Sequence, residues 1–387
     1  MRFTLFLALF AALVPLRSDA APPPTPPFES VSIPSPAPTG DSRDDTIYVF
    51  YYRASGATAG SPAPAVLLLH ALGDSMRPNS LTRQMARSLA AHGINAAAMV
   101  LPWHDWRAQH NDIPAKHFLS PDSSVSAQAF DQSAWDVSAV LDWLARRPEV
   151  DAARLGLEGV SLGAIVTHIA MGRDARISAG VAALGGGNLQ KIAREGLLFR
   201  LFNHGKARAV TPDDLRTLAA VDPLTSARTD WPRNVLMIQA ARDVVVPPAS
   251  AAELWERLGR PRIVWLDTNH FAPQYSSGSI GHIGEVWLAQ QFGLSPRGRL
   301  PASGVPTIKV GIASGLGTAV TPFVELQLAG AGMRRDHMRL FHLDAGLSGN
   351  GPYLAAAATL SQFLDIGAAR LWFRGGPRLF FSFHTAL

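Results

Sequence analysis

Three residues that are far apart in the sequence, Ser161, Asp243 and His270, have the types needed to activate a nucleophile. Ser161 is the centre of Gly159-Val160-Ser161-Leu162-Gly163, which follows a short apolar run and precedes a segment that favours a helix. A sharp turn between strand and helix strains the serine backbone and exposes its hydroxyl where the helix dipole favours negative charge. The pattern predicts a catalytic serine, and the alternative is an ordinary Gly-Ser turn.

A serine hydroxyl is a weak nucleophile unless a base removes its proton and a third group orients that base. Asp243 follows the apolar run 234–239, and His270 follows the next apolar run, 263–266. Each would therefore lie just past the end of a strand. We predict that Asp243 orients His270, although an aspartate before a helix can be an N-cap and a loop histidine is often merely solvated.

Four other residues are weaker candidates for the acid and the base. Asp267 is too close to His270 along the chain to face it correctly, and Asp222 more plausibly caps a turn. His168 and His282 both fall within predicted helices.

An oxyanion formed on Ser161 would need two hydrogen-bond donors. The backbone N–H of Leu162 is one by position, because it directly follows the nucleophile. The second is expected from the loop that begins at His70, with Leu72 as first choice and Ala71 next.

Strands and helices alternate along the first three quarters of the chain, which predicts a mostly parallel, doubly wound α/β sheet. Ligands of such sheets collect at the carboxyl ends of the strands. The loops that should share that edge follow Leu69, Leu101, Val160, Leu184, Gln239 and Leu266.

The composition excludes several kinds of site. The chain of 387 residues has no cysteine, so disulfides and Cys-ligated metals are excluded, and its net charge of +5 comes from scattered arginines. No dense basic run suggests nucleic acid. Residues 104–117 are rich in metal-ligand types, but their spacing matches no metal signature, and a polar loop beside the substrate is expected instead. We predict no metal.

Both ends of the chain differ from the middle. Residues 1–20 have the form of a signal peptide, which predicts a periplasmic or secreted protein, and residues 21–43 form a proline-rich linker. Residues 297–387 alternate with a period of two and predict an antiparallel β-rich domain. This domain is expected to pack on the catalytic domain at 44–296; the alternative is outer-membrane association through its strands.

Taken in order, His70-x-x-Gly73, the Ser161 pentapeptide, Asp243-Val-Val-Val-Pro and His270-Phe-Ala resemble the motifs of the α/β-hydrolase family. The similarity is greatest to dienelactone hydrolases, acetyl xylan esterases and prolyl-oligopeptidase-like relatives. It implies ester hydrolysis through an acyl-enzyme, with no cofactor. One departure is Ala71, where the family commonly has glycine, and it puts the second oxyanion donor in doubt.

The resemblance also implies a helical cap at residues 188–230, whose apolar side either roofs an acyl pocket or belongs to the core. The expected substrate-contacting residues come from this cap and from the strand-end loops: His70, Trp103, His104, Leu198 and Phe202.

Three functions are compatible with these features. The first is a serine esterase acting on a small-molecule ester. The second is a peptidase or amidase with the same three residues, and the third is a catalytically silent envelope or binding protein. The sequence leaves the substrate and the oligomeric state open.

Overall fold

The computed structural model describes residues 28–110, 112–202, 211–227, 234–266, 268–271, 280–296 and 298–300, and the backbone of strands between residues 307 and 382. The predicted signal peptide lies outside these residues. The same is true of the rival acid Asp267.

Within the described residues, eight strands form a mostly parallel sheet in the order β1-β2-β4-β3-β5-β6-β7-β8. The pairs β1–β2 and β2–β4 are antiparallel, and the others are parallel. The strands are β1 (Glu29–Pro34), β2 (Thr46–Tyr52), β3 (Ala63–Leu69), β4 (Asn95–Met99), β5 (Val150–Val160), β6 (Ile177–Ala183), β7 (Val235–Ala240) and β8 (Arg262–Leu266). The doubly wound α/β architecture is therefore confirmed.

Helices cover both faces of this sheet, which explains why its central strands are apolar throughout. The helices α1 (Leu81–Ala91) and α10 (Ile280–Gln291) pack on one face, and α3 (Ser123–Ala145) and α4 (Leu162–Arg173) pack on the other, each with its own buried cluster. Helix α9 (Pro248–Arg257) contributes Leu254 to the second cluster.

Between β4 and α3 the chain contains a 3₁₀ turn at Asp105–Arg107 and the short helix α2 (Ala115–Phe118). Helix α3 then begins at Ser123. Its N-cap is Asp122, whose carboxylate accepts the N–H of Ser124 at 2.9 Å and so satisfies a free donor of the first turn.

Part of the predicted proline-rich linker, Glu29–Pro34, is strand β1 of the sheet. The prediction of a linker is wrong for these residues. Strand β1 pairs with β2 from Glu29 opposite Tyr51 to Pro34 opposite Thr46. The backbone donors and acceptors along β2 are thus paired on both sides, which stabilises an otherwise open edge.

The predicted cap region is helical. It contains α5 (Leu189–Glu195), α6 (Leu197–Phe202), α7 (Pro212–Ala219) and α8 (Pro223–Ser226). Helices α5 and α6 are separated by a turn at Gly196. There the N–H of Leu197 donates to the Val244 carbonyl at 2.8 Å, and a Cβ on Gly196 would lie 2.6 Å from the Val245 carbonyl oxygen.

The backbone after residue 306 forms a separate antiparallel sheet. Its strands are β9 (Thr307–Ala313), β10 (Thr321–Met333), β11 (His337–Ser348), β12 (Gly351–Ile366), β13 (Ala369–Gly375) and β14 (Arg378–Ser382). They are ordered β13-β12-β11-β10-β9, and β14 also pairs with β12. The domain boundary near residue 297 and the role of this region remain predictions.

In the part of the chain that the structure describes, no helix is both long enough and apolar enough to cross a bilayer.

Candidate active site

Ser161 occupies a strained turn between β5 and α4. Its backbone has φ 56° and ψ −110°, an unfavourable conformation for a residue with a side chain. Two glycines allow the turn, because a Cβ on Gly159 would lie 2.2 Å from the Gly163 carbonyl oxygen, and one on Gly163 would lie 2.3 Å from that of Leu69. The Ser161 N–H donates to the Ala183 carbonyl at 2.8 Å, which fixes the turn to β6.

The side chains of Ser161, His270 and Asp243 form one hydrogen-bonded chain. The distance from Ser161 Oγ to His270 Nε2 is 2.8 Å, and that from His270 Nδ1 to Asp243 Oδ2 is 2.6 Å. All three residues are buried, with 6%, 1% and 2% of their surface exposed. The structure therefore brings together the three residues that the sequence singles out.

Backbone hydrogen bonds hold the two loops that carry the acid and the base. The N–H of Arg242 donates to the Thr268 carbonyl at 2.9 Å, which ties the loop after β7 to the loop after β8. The other carboxylate oxygen of Asp243, Oδ1, accepts the N–H groups of Val245 at 2.8 Å and Val246 at 2.9 Å. Both contacts fix the carboxylate that faces His270.

The two loops predicted to donate to an oxyanion lie against each other, since the Gly163 N–H donates to the His70 carbonyl at 3.1 Å. In the second loop, the Gly73 N–H donates to His104 Nε2 at 3.1 Å and the Asp74 N–H to the Ala71 carbonyl at 3.1 Å. The amides of Gly73 and Asp74 therefore already have acceptors, which leaves those of Ala71 and Leu72 as candidate donors. Of these two residues, only Leu72 lines the cavity beside Ser161, which favours it as the second donor.

A mostly apolar cavity of about 120 Å³ opens beside Ser161. Leu198 of the cap, one of the residues expected to contact substrate, lines it. Its wall also includes residues that the sequence reasoning missed, from α2, α3, α4, the cap and the loop after β7: Phe118, Phe130, Ile165, Leu189, Ile192, Phe199, Leu218, Val245 and Val246. Helical spacing alone marks these residues only as core positions.

The other residues predicted to contact substrate do not line this cavity. His70 and His104 are 0% and 1% exposed, and each ring accepts a backbone N–H instead. Trp103 stacks on His117, with ring centroids 3.7 Å apart. Phe202 lies at the end of α6 with 46% of its surface exposed. Burial excludes direct contact with substrate for His70 and His104, whereas for Trp103 and Phe202 such contact stays a prediction.

Burial favours the neutral form of His70 and of His104. It lowers the pKa of His70, and it lowers that of His104 well below the usual 6.5, helped by the neighbouring His70. Each ring has Nδ1 facing a carbonyl oxygen and Nε2 facing a backbone N–H. Nδ1 therefore carries the proton, and Nε2 is the acceptor.

The residues rich in metal-ligand types do not converge. His117 Nε2 lies 2.6 Å from Asp112 Oδ2, a simple pair. Among the residues that the structure describes, no three His, Asp or Glu side chains come together as a metal site.

The known proteins to which this chain is similar belong to one class of protein. A model of the prolyl oligopeptidase family matches residues 123–271. An uncharacterized protein of Mycobacterium tuberculosis, present in two strains, is 24% identical over 250 residues. That match covers 63% of this chain and 58% of the relative, so the chain spans little more than half of the relative's length.

Two solved structures share the fold. A puromycin-hydrolyzing peptidase of Mycobacterium tuberculosis superposes with a TM-score of 0.54 at 18% identity, over 72% of this chain and 42% of the peptidase. The acetyl xylan esterase from Paenibacillus sp. R4 superposes with a TM-score of 0.52 at 19% identity, over 72% of this chain and 93% of the esterase.

Together with the sheet order and the serine turn, these matches identify an α/β-hydrolase fold, and the proteins to which the chain is similar belong to the serine hydrolase class. The resemblance noted in the sequence is thereby confirmed. Within that class the similarity extends to both peptidases and esterases.

Proposed function

We propose that the protein hydrolyses carboxylic esters through an acyl-enzyme, with Ser161 as nucleophile, His270 as general base and Asp243 as the orienting acid. The observation that carries this proposal is the unbroken chain from Ser161 Oγ through His270 to Asp243, at the edge of an apolar cavity. The two short distances allow proton transfer without rearrangement.

The first half of the reaction follows from this geometry. His270 Nε2 takes the proton of Ser161 as Oγ bonds to the ester carbonyl carbon, and the charge that develops on the oxygen is stabilised by the N–H groups of Leu162 and Leu72. Collapse of this intermediate breaks the bond to the alkoxy oxygen, which leaves with the proton from His270. Asp243 meanwhile accepts the Nδ1–H and stabilises the imidazolium.

In the second half, His270 deprotonates a water molecule that attacks the acyl carbon. The bond to Ser161 breaks, and His270 returns the proton to Oγ. The products are a carboxylic acid and an alcohol, and the enzyme is regenerated without a cofactor.

The cavity wall favours an ester with an apolar acyl group. Ile165, Phe130 and Val246 would surround an acyl chain, and burying such a chain contributes about 0.8 kcal/mol per methylene. A peptide in the same place would bring backbone N–H groups, and burying one without a partner costs about 1–3 kcal/mol. An ester carries no such donor.

A peptidase or amidase is the second candidate, because the matching family model is that of the prolyl oligopeptidases and one structural relative is a peptidase. Assays of p-nitrophenyl acetate, butyrate and octanoate beside peptide amides distinguish the two. We expect the highest kcat/KM on an ester longer than acetate. Faster turnover of the amides would favour the peptidase.

Active-site labelling tests the assignment of the nucleophile. A fluorophosphonate should modify Ser161 stoichiometrically, Ser161→Ala should abolish labelling, and His270→Ala should strongly reduce it. Labelling that persists in Ser161→Ala would show that another residue is the nucleophile. If the wild type and Ser161→Ala hydrolyse esters and amides equally slowly, the catalytically silent alternative is correct.

We further propose that the protein is exported, from the composition of residues 1–20. The intact mass of the labelled protein reports signal removal and modification together.

Release from envelopes by carbonate would support an accessory role for residues 297–387, and retention until detergent is added would support membrane association.

A further inference from the structure

The loop that carries the Leu72 amide is held by side chains from another loop. Beyond the end of β3, the Gly73 N–H donates to His104 Nε2 at 3.1 Å, and the Met76 N–H donates to Asp105 Oδ2 at 2.7 Å. Both acceptors belong to the segment that follows β4. The position of the Leu72 amide therefore depends on residues outside its own loop.

The ring of His104 is fixed in the orientation that this contact needs. Its Nδ1–H donates to the Pro102 carbonyl at 2.8 Å, which leaves Nε2 as an acceptor. The ring also packs edge-to-face on His70, with centroids 4.5 Å apart. His104 is only 1% exposed, so no solvent competes for the Gly73 contact from the ring side.

The segment around His104 is itself strained and firmly anchored. Trp103 and Asp105 both have positive φ, at 62° and 44°. The fully buried Arg107 donates from Nε to the Asp44 carbonyl at 2.9 Å and pairs through Nη1 with Asp136 Oδ2 at 2.7 Å. Such strain persists only where surrounding contacts determine the backbone.

We propose that His104 is a positioning residue: by accepting the Gly73 N–H, it fixes the loop that presents the Leu72 amide to the oxyanion formed on Ser161. The inference rests on the proposed function. Catalysis is sensitive to such placement, because an error of about 1 Å in a reacting group can cost about 10²-fold in rate. His104 contacts no reacting atom, so its effect passes through the amide.

A pair of substitutions separates the hydrogen bond from simple packing. His104→Phe keeps a buried ring without an acceptor, whereas His104→Gln keeps an acceptor oxygen. We expect His104→Phe to lower kcat for a p-nitrophenyl ester by about 10²-fold with KM nearly unchanged, the size of losing one oxyanion donor. His104→Gln should recover at least tenfold of that loss.

His117→Phe is the matched control, because His117 lies in the same region and stacks on Trp103 but contacts neither Gly73 nor Met76. It should leave kcat unchanged. If His104→Phe reacts as fast as the wild type, or if His104→Gln and His104→Phe are equally impaired, the positioning role is wrong while the proposed function stands. A wild type that is neither labelled nor active would overturn both.

A second measurement does not depend on whether a variant folds. In a crystal structure of the wild type phosphonylated on Ser161, the phosphonyl oxygen should lie about 3 Å from the N–H groups of Leu162 and Leu72, with the Gly73–His104 contact retained. An oxygen bound elsewhere, or a broken Gly73–His104 contact, would overturn the inference.

Discussion

At the scale of single residues, the two oxygens of Asp243 have different partners. Oδ1 accepts two backbone N–H groups and Oδ2 faces His270 Nδ1. In Asp243→Asn, the amide oxygen must stay with the backbone donors, so the NH₂ group faces Nδ1. His270 would then carry its proton on Nε2 and could not accept one from Ser161, and we expect kcat to fall by about 10⁴-fold.

Steady-state kinetics with a p-nitrophenyl ester check this prediction. Asp174→Asn is a suitable control, because Asp174 is also buried but caps the far end of α4 from Ser161. It should leave kcat unchanged. An Asp243→Asn enzyme that keeps more than a tenth of the wild-type kcat would show that Asp243 does not orient the base.

At the scale of elements, the first turn of α4 forms one wall of the cavity beside Ser161. Ile165 lies there, one turn after Ser161, and a larger side chain would fill part of the roughly 120 Å³ available. We expect Ile165→Trp to lower kcat/KM for the octanoate ester at least tenfold relative to acetate. Comparing the two esters separates pocket size from general activity.

Ile165→Val should act in the opposite direction, with a modest gain on octanoate. Ile169 lies one turn further along α4 and away from the cavity. Ile169→Val should therefore leave the ratio of kcat/KM for octanoate to that for acetate unchanged, and it should lower the free energy of unfolding by about 1 kcal/mol. Parallel losses on both esters in Ile165→Trp would mean that the acyl group binds elsewhere.

The elements also show what the sequence predicts and what it does not. The central strands were predictable, because a run such as Ala65–Leu69 is apolar on both faces. Strand β1 was not, since Glu29–Pro34 is short, adjoins prolines and is stabilised by pairing with distant residues. Ser161, Asp243 and His270 were predicted from their types and from their order along the chain. His70 and His104 were predicted to contact substrate because of their residue type. Both are buried, which the residue type alone does not reveal.

At the scale of the whole molecule, burial of neutral histidines makes stability depend on pH. Burial lowers the pKa of His168 to about 4 from the usual 6.5, so the unfolded chain binds one more proton between these values. The stabilising effect is complete above pH 6.5 and is lost as pH falls towards 4, by about 3 kcal/mol. His70 and His104 act in the same direction.

Burial of Glu158 raises its pKa and so opposes this trend, which makes the difference between variants the clearest measure. His168→Leu should flatten the loss of unfolding free energy between pH 6.5 and 5, measured by urea denaturation. If the wild type and His168→Leu lose stability in parallel across that range, His168 is not neutral in the folded protein.

The hydrogen bond from the Leu197 N–H to the Val244 carbonyl fastens the cap helix α6 to the loop that carries Asp243. Because cap residues line the cavity beside Ser161, exchanging this cap for that of a homologue would alter the cavity, and the splice point matters. A transplant that begins beyond Leu197 and keeps Gly196 preserves the junction. One that replaces both would shift the carboxylate and reduce turnover even with a well-chosen pocket.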